Sequence, residues 1–166
     1  MSASSQQVIS NLVEQLAQSL LAKKLKLATA ESCTGGWIAQ SLTACPGSSN
    51  WFDSGFVTYS NSAKQRMLNV PAELFQIDGP GAVSQEVVQA MTAGAIVNSL
   101  ANVAVAVSGI AGPDGGTAEK PTGTVWIAWQ WEEKVLAQKF QFVGGRETVR
   151  EATVEAALRG VLALIS

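Results

Sequence analysis

The chain has 166 residues, 47% of them apolar and 14% charged, with a net charge of −2 and no histidine. That length and balance predict one folded domain with a core of its own, and they exclude a disordered chain and a basic nucleic-acid binder. Without histidine the chain can build neither a Ser-His-Asp nor a Cys-His site nor a His-containing zinc site. Acid–base work would fall to Lys, Tyr, Asp, Glu or a terminal amine.

The first residues, Met1 to Gln7, are polar and do not resemble a signal peptide. From Ser4 to Leu21 the apolar residues Val8, Leu12, Val13, Leu16, Leu20 and Leu21 recur with a helical period. Leu25 to Ala30 reads as a buried strand, and Trp37 to Leu42 as a helix. Pro46-Gly47-Ser48-Ser49 is a turn. Trp51 to Tyr59 reads as a second strand and Asn61 to Leu68 as a short helix capped by Ser60 or Asn61. Pro71 to Gly81 is a loop. Ser84 opens the clearest helix, with Val87, Val88, Met91, Ala95 and Ile96 behind it. The unbroken apolar run Asn102 to Val107 predicts a strand covered on both faces. Ser108 to Thr124 reads as a long glycine-rich loop. Val125 to Trp131 and Val135 to Val143 form a hairpin, and Glu147 to Ile165 the closing helix. The sum is a single-domain α/β protein, three layers α/β/α around a mixed sheet, since the hairpin makes an all-parallel sheet improbable. No apolar run approaches the roughly 18 residues of a membrane span. Two cysteines, Cys33 and Cys45, suit a reducing compartment, so a cytoplasmic protein without membrane or nucleic-acid partners is expected.

The stretch Ala30-Glu31-Ser32-Cys33-Thr34-Gly35-Gly36-Trp37 lies between a strand and a helix, where backbone N–H groups can face a ligand. It holds a hydroxyl, a thiol and a second hydroxyl in succession, and then two glycines that allow close backbone approach. Ser32 and Lys64 are the reacting pair expected here. Serine needs a neighbouring base, and a desolvated lysine can serve near neutral pH. Lys64 sits in the first turn of a short helix, whose positive end would lower its pKa. If the first two strands are neighbours, both ends open on one cleft; the plain alternative is a solvated surface lysine. Tyr59 would orient the lysine or hold the substrate ring, unless it is a half-buried strand aromatic. Cys33 is the rival nucleophile, should a helix N-terminus lower its pKa. Glu31 could pair with a base or cap a backbone group. Ser108-Gly109-Ile110-Ala111-Gly112-Pro113-Asp114-Gly115-Gly116 is a second candidate for close backbone approach to a small ligand, though neither a dinucleotide fingerprint nor a P-loop. Arg146, opening the last helix with Arg150 one turn on, is a candidate phosphate or carboxylate site; the alternative pairs these arginines with Glu147 or Glu151.

Taken together, these motifs resemble a known family. The residues that carry the resemblance are Ala30 to Gly36; Gly55-Phe56-Val57-Thr58-Tyr59-Ser60-Asn61 with Lys64; Gly81-Ala82-Val83-Ser84; and Ser108 to Gly116 followed by Lys120-Pro121-Thr122-Gly123-Thr124-Val125. They are similar to the CinA C-terminal domain family, whose stand-alone members are bacterial nicotinamide-nucleotide amidohydrolases. The resemblance runs over nearly the whole chain and implies one such domain across residues 1–166. It implies hydrolysis of nicotinamide mononucleotide to nicotinic acid mononucleotide and ammonia in pyridine-nucleotide recycling, self-association, and no metal or cofactor. Carried over, Ser32 becomes the nucleophile, Lys64 the base and Tyr59 a supporting residue. The glycine-rich segments would then line the nucleotide pocket. With the reading of the residues themselves, the expected substrate-binding set is Glu31, Cys33, Thr34, Gly35, Gly36, Asn61, Ser108, Gly109, Gly112 and Arg146, and N–H groups around Cys33 to Gly36 could hold the oxyanion. A second reading keeps the pocket as a nucleotide-binding regulatory module without turnover.

Overall fold

Alternation along the central strands decides the layering. A computed structural model describes residues 3–166. In β3 (Val103–Gly109), Val103, Val105 and Val107 enter one buried cluster while Ala104 and Ala106 enter another, as the two-residue period of a strand requires. The valine side packs on the long helices α1 (Ser5–Lys23) and α5 (Arg146–Ile165), through Leu12, Leu16, Leu20, Leu158 and Val161. The alanine side, joined by Ala28, Ala30 and Ala128, takes α4 (Gln85–Val97) through Val87, Val88 and Met91. Small residues there let α4 lie close to the sheet. The result is the expected three-layer α/β/α domain.

The sheet has the order β2-β1-β3-β4-β5, with β1 at Leu27–Glu31, β2 at Phe52–Val57, β4 at Thr124–Trp131 and β5 at Lys134–Gln141. β1 runs parallel to both β2 and β3, and β4 and β5 are antiparallel, so the sheet is mixed. β1 is followed by α2 (Trp37–Thr43), which packs in the α1/α5 layer. β2 is followed by α3 (Asn61–Leu68), which packs against α4 on the opposite face. The chain therefore leaves two adjacent parallel strands in opposite directions, which makes their carboxyl ends a switch point of the kind at which α/β sheets form a ligand crevice. Ser32 follows one strand and Lys64 the other.

Most element ends differ from the sequence expectation by one or two residues; β2, for example, stops at Val57, short of Tyr59. Ser108 and Gly109 belong to β3, because antiparallel pairing continues to Gly109 opposite Val125; the loop begins only at Ile110. Single 3₁₀ turns, Ser48–Asn50 and Ala72–Phe75, occupy stretches read as turn and loop. The caps behave as expected. The Ser60 hydroxyl accepts from the Ala63 N–H at 3.0 Å, and the Ser84 hydroxyl from that of Val87 at 3.3 Å. Among the described residues no helix is long and apolar enough to cross a membrane.

Candidate active site

At the end of β1 the chain is tied to both neighbouring strands. The Ser32 N–H donates to the Val107 carbonyl on β3, and the Thr58 N–H just past β2 donates to the Glu31 carbonyl. These bonds fix Ser32 and Thr58 on either side of the crevice. Lys64, in the first turn of α3, reaches into it: only 1% of its surface is exposed. Its Nζ lies 2.9 Å from Ser32 Oγ and 2.9 Å from the Thr58 carbonyl oxygen. Desolvation pushes the Lys64 pKa down from its ordinary 10.5 to about 8. Burial, the desolvation expected of such a lysine, is the cause; the field of the helix end, expected beside it, is not among the causes. A substantial fraction of the amine is then neutral near pH 8. Charged, the amine donates to both oxygens; neutral, it can keep one N–H on the Thr58 carbonyl and accept the Ser32 hydroxyl proton on its lone pair.

The thiol beside it behaves in the opposite way. Cys33 is buried, and its pKa is raised to about 11, first by desolvation and further by the Glu31 carboxylate. The condition set for a Cys33 nucleophile, a pKa lowered at a helix end, is therefore not met: near neutrality Cys33 is protonated.

Glu31 and Thr34 are wholly buried and their side chains are committed to each other and to α2. Glu31 Oε1 accepts from Thr34 Oγ1 at 2.7 Å and from the Ile38 N–H at 2.8 Å, and Oε2 accepts from the Ala39 N–H at 3.0 Å. The carboxylate is thus the cap of α2, one of the alternatives open from sequence, and both of its oxygens are engaged there. Gly35 and Gly36 take φ of +61° and +103°, a left-handed backbone that glycine adopts without strain. The Gly35 N–H donates back to the Ser32 carbonyl. Among the described residues the N–H groups of Cys33, Thr34 and Gly36 have no hydrogen-bond acceptor.

A second cluster lies beside the pair. Arg146 Nη1 donates to the Gly112 carbonyl at 2.8 Å and Nη2 to the Tyr59 hydroxyl at 3.0 Å. Three distant segments meet there. Tyr59 is 61% exposed and has no bond to Lys64; the group that orients the lysine is the Thr58 carbonyl. Asn61 is exposed on the first turn of α3, and Ser108 is buried at the end of β3. Gly109 is needed for packing, since a Cβ there would meet the Val125 side chain at 2.6 Å and the Thr124 carbonyl at 2.9 Å. Neither Arg146 nor Arg150 pairs with Glu147 or Glu151. Instead Arg150 Nε donates to the Cys33 carbonyl at 3.1 Å and Nη2 to that of Thr34 at 3.0 Å. Its position one helical turn after Arg146 was visible in the sequence; its target was not.

Residues 9–165 match the CinA C-terminal domain. The chain belongs to the CinA C-terminal domain family. Within that family it is 54% identical over 157 residues to the nicotinamide-nucleotide amidohydrolase PncC of Pseudomonas putida, covering 94% of this chain and 96% of that protein. To the protein of the same name from Escherichia coli K12 it is 47% identical, covering 89% of each. Among solved CinA-superfamily structures, the competence/damage inducible protein CihA of Agrobacterium tumefaciens superposes with a TM-score of 0.92 at 44% identity over 96% of both chains.

Proposed function

We propose that this chain hydrolyses the carboxamide of nicotinamide mononucleotide to nicotinic acid mononucleotide and ammonia, with Ser32 as nucleophile and Lys64 as base, in pyridine-nucleotide recycling. The observation that carries the reading is the buried 2.9 Å approach of Lys64 Nζ to Ser32 Oγ, in a chain without histidine. Binding alone requires no such pair. The names of the relatives supply the substrate.

In this mechanism neutral Lys64 takes the Ser32 proton as Oγ attacks the amide carbon. The oxygen of the tetrahedral intermediate receives the N–H groups of Cys33 and Thr34, the nearest free donors along the chain. The Lys64 ammonium returns the proton to the departing nitrogen, ammonia leaves, and the acyl group stays on Ser32. Lys64 then deprotonates a water, which releases the acid and regenerates the serine. Arg146 spends two donors on Gly112 and Tyr59 and keeps others for the substrate phosphate, with Tyr59 alongside the ribose or ring. Asn61, Ser108 and the backbone at Gly35, Gly36, Gly109 and Gly112 complete the pocket in this reading. Glu31 supports it from behind. The reading includes self-association and a cytoplasmic setting, with no nucleic-acid or membrane partner; the net charge of −2 supports the former absence.

The test is ammonia release from nicotinamide mononucleotide with and without a chelator. Equal turnover in both is expected, because none of the steps above uses a metal. Tight binding of the nucleotide without ammonia would make this a regulatory module instead.

A further inference from the structure

The unbonded N–H groups next to Ser32 in the chain, those of Cys33 and Thr34, belong to peptides whose carbonyls are held. The bond between Cys33 and Thr34 is trans, so its carbonyl and its N–H point in opposite directions. Arg150 Nε grips that carbonyl at 3.1 Å, which fixes the direction of the Thr34 N–H. The Cys33 N–H shares its peptide with the Ser32 carbonyl, which accepts from the Gly35 N–H. That Gly35 amide is itself braced, because the carbonyl of its own peptide, on Thr34, accepts from Arg150 Nη2 at 3.0 Å and from the Trp37 N–H at 3.1 Å. One guanidinium therefore restrains both donors, one directly and one through Gly35. The planar fork matches two successive carbonyls, which a single ammonium cannot do. The fork is itself seated, with its carbon 5.4 Å from the centre of the Trp37 ring. Hydrogen bonding to a carbonyl also polarises the N–H on the far side of the same peptide.

The geometry points to Arg150 as a positioning residue of the deamidation reaction: from α5 it clamps the Cys33 and Thr34 carbonyls so that the Cys33 and Thr34 N–H groups are set to receive the oxyanion. This rests on the reading of the site as an amidohydrolase. Arg150 touches no reacting atom, so its effect falls on the transition state and not on substrate affinity.

The experiment compares Arg150→Ala and Arg150→Lys with the parental protein in ammonia release from nicotinamide mononucleotide. Arg150→Ala is expected to lower kcat on the order of 100-fold, as for loss of an oxyanion donor, with KM within about threefold. Arg150→Lys should recover only part of the loss, and millimolar guanidinium ion should raise kcat of Arg150→Ala at least about tenfold, which a merely misfolded variant would not show. A kcat within about threefold of parental, or a loss confined to KM, overturns the proposal. Should Arg150→Ala fail to fold, Arg150→Lys and Arg150→Gln decide by the same split. A second readout does not depend on catalysis: in a Cys45→Ala background, alkylation of buried Cys33 by iodoacetamide should quicken about tenfold or more in Arg150→Ala as the loop opens. If the parental protein releases no ammonia, the amidohydrolase reading fails; an unchanged alkylation rate overturns the clamp by itself.

Discussion

Lys64→Met lowers turnover on the order of 10⁴-fold while leaving the protein as stable as the parent or more so. Methionine keeps the length and apolar stem of lysine but removes the amine, so Ser32 loses its base without a cavity being opened. The stability arm follows from the sign of the pKa change. In the unfolded chain Lys64 holds its proton up to 10.5, and in the folded protein only to about 8. The fold is therefore penalised below pH 8, and the penalty disappears as pH rises from 8 to 10.5. At neutral pH it amounts to about 3 kcal/mol, set against about 1–3 kcal/mol for leaving the Thr58 carbonyl without its partner. Thermal melting at pH 7 beside steady-state ammonia release checks both arms. A variant that is inactive because it is unstable would contradict the account.

The second large effect is on the pH profile. The reactive form holds Lys64 neutral, so kcat/KM rises with pH and levels off above the Lys64 pKa of about 8. Below that value it falls about tenfold per unit, so pH 6 is on the order of 100-fold slower than the plateau. The neighbouring thiol, with its pKa about 11, does not titrate in this range. A rise of that size belongs to a depressed lysine. An unperturbed one would keep climbing to 10.5, and an activity that peaks in acid would point to a carboxylate.

What the sequence disclosed and what it withheld divide along contact range. Asn61–Leu68 was legible to the residue because its signals are local: the Ser60 hydroxyl caps one end, and Asn69 at φ +59° stops the other. Val103 to Val107 declared itself by an unbroken apolar run, but the continuation through Ser108 and Gly109 depends on pairing with Trp126 and Val125, which no local pattern announces. The juxtaposition of Ser32 and Lys64 needed β1 and β2 to be neighbours, and could be stated only as a condition. That Lys64 is buried, and so depressed by desolvation, comes from packing around α3 and not from its spacing. Glu31 was left between two roles because its partners, Ile38 and Ala39, are amides that any residue carries. Arg150 was hidden most deeply: its acceptors are carbonyls 116 and 117 residues away.

The identity of the nucleophile is tested most directly by assaying Ser32→Ala and Cys33→Ser side by side for ammonia release from nicotinamide mononucleotide, each checked for an intact fold by melting. The account predicts that Ser32→Ala falls on the order of 10⁴-fold while Cys33→Ser stays within about tenfold of the parent. Ammonia at parental speed from a folded Ser32→Ala protein, or a collapse confined to Cys33→Ser, would contradict it.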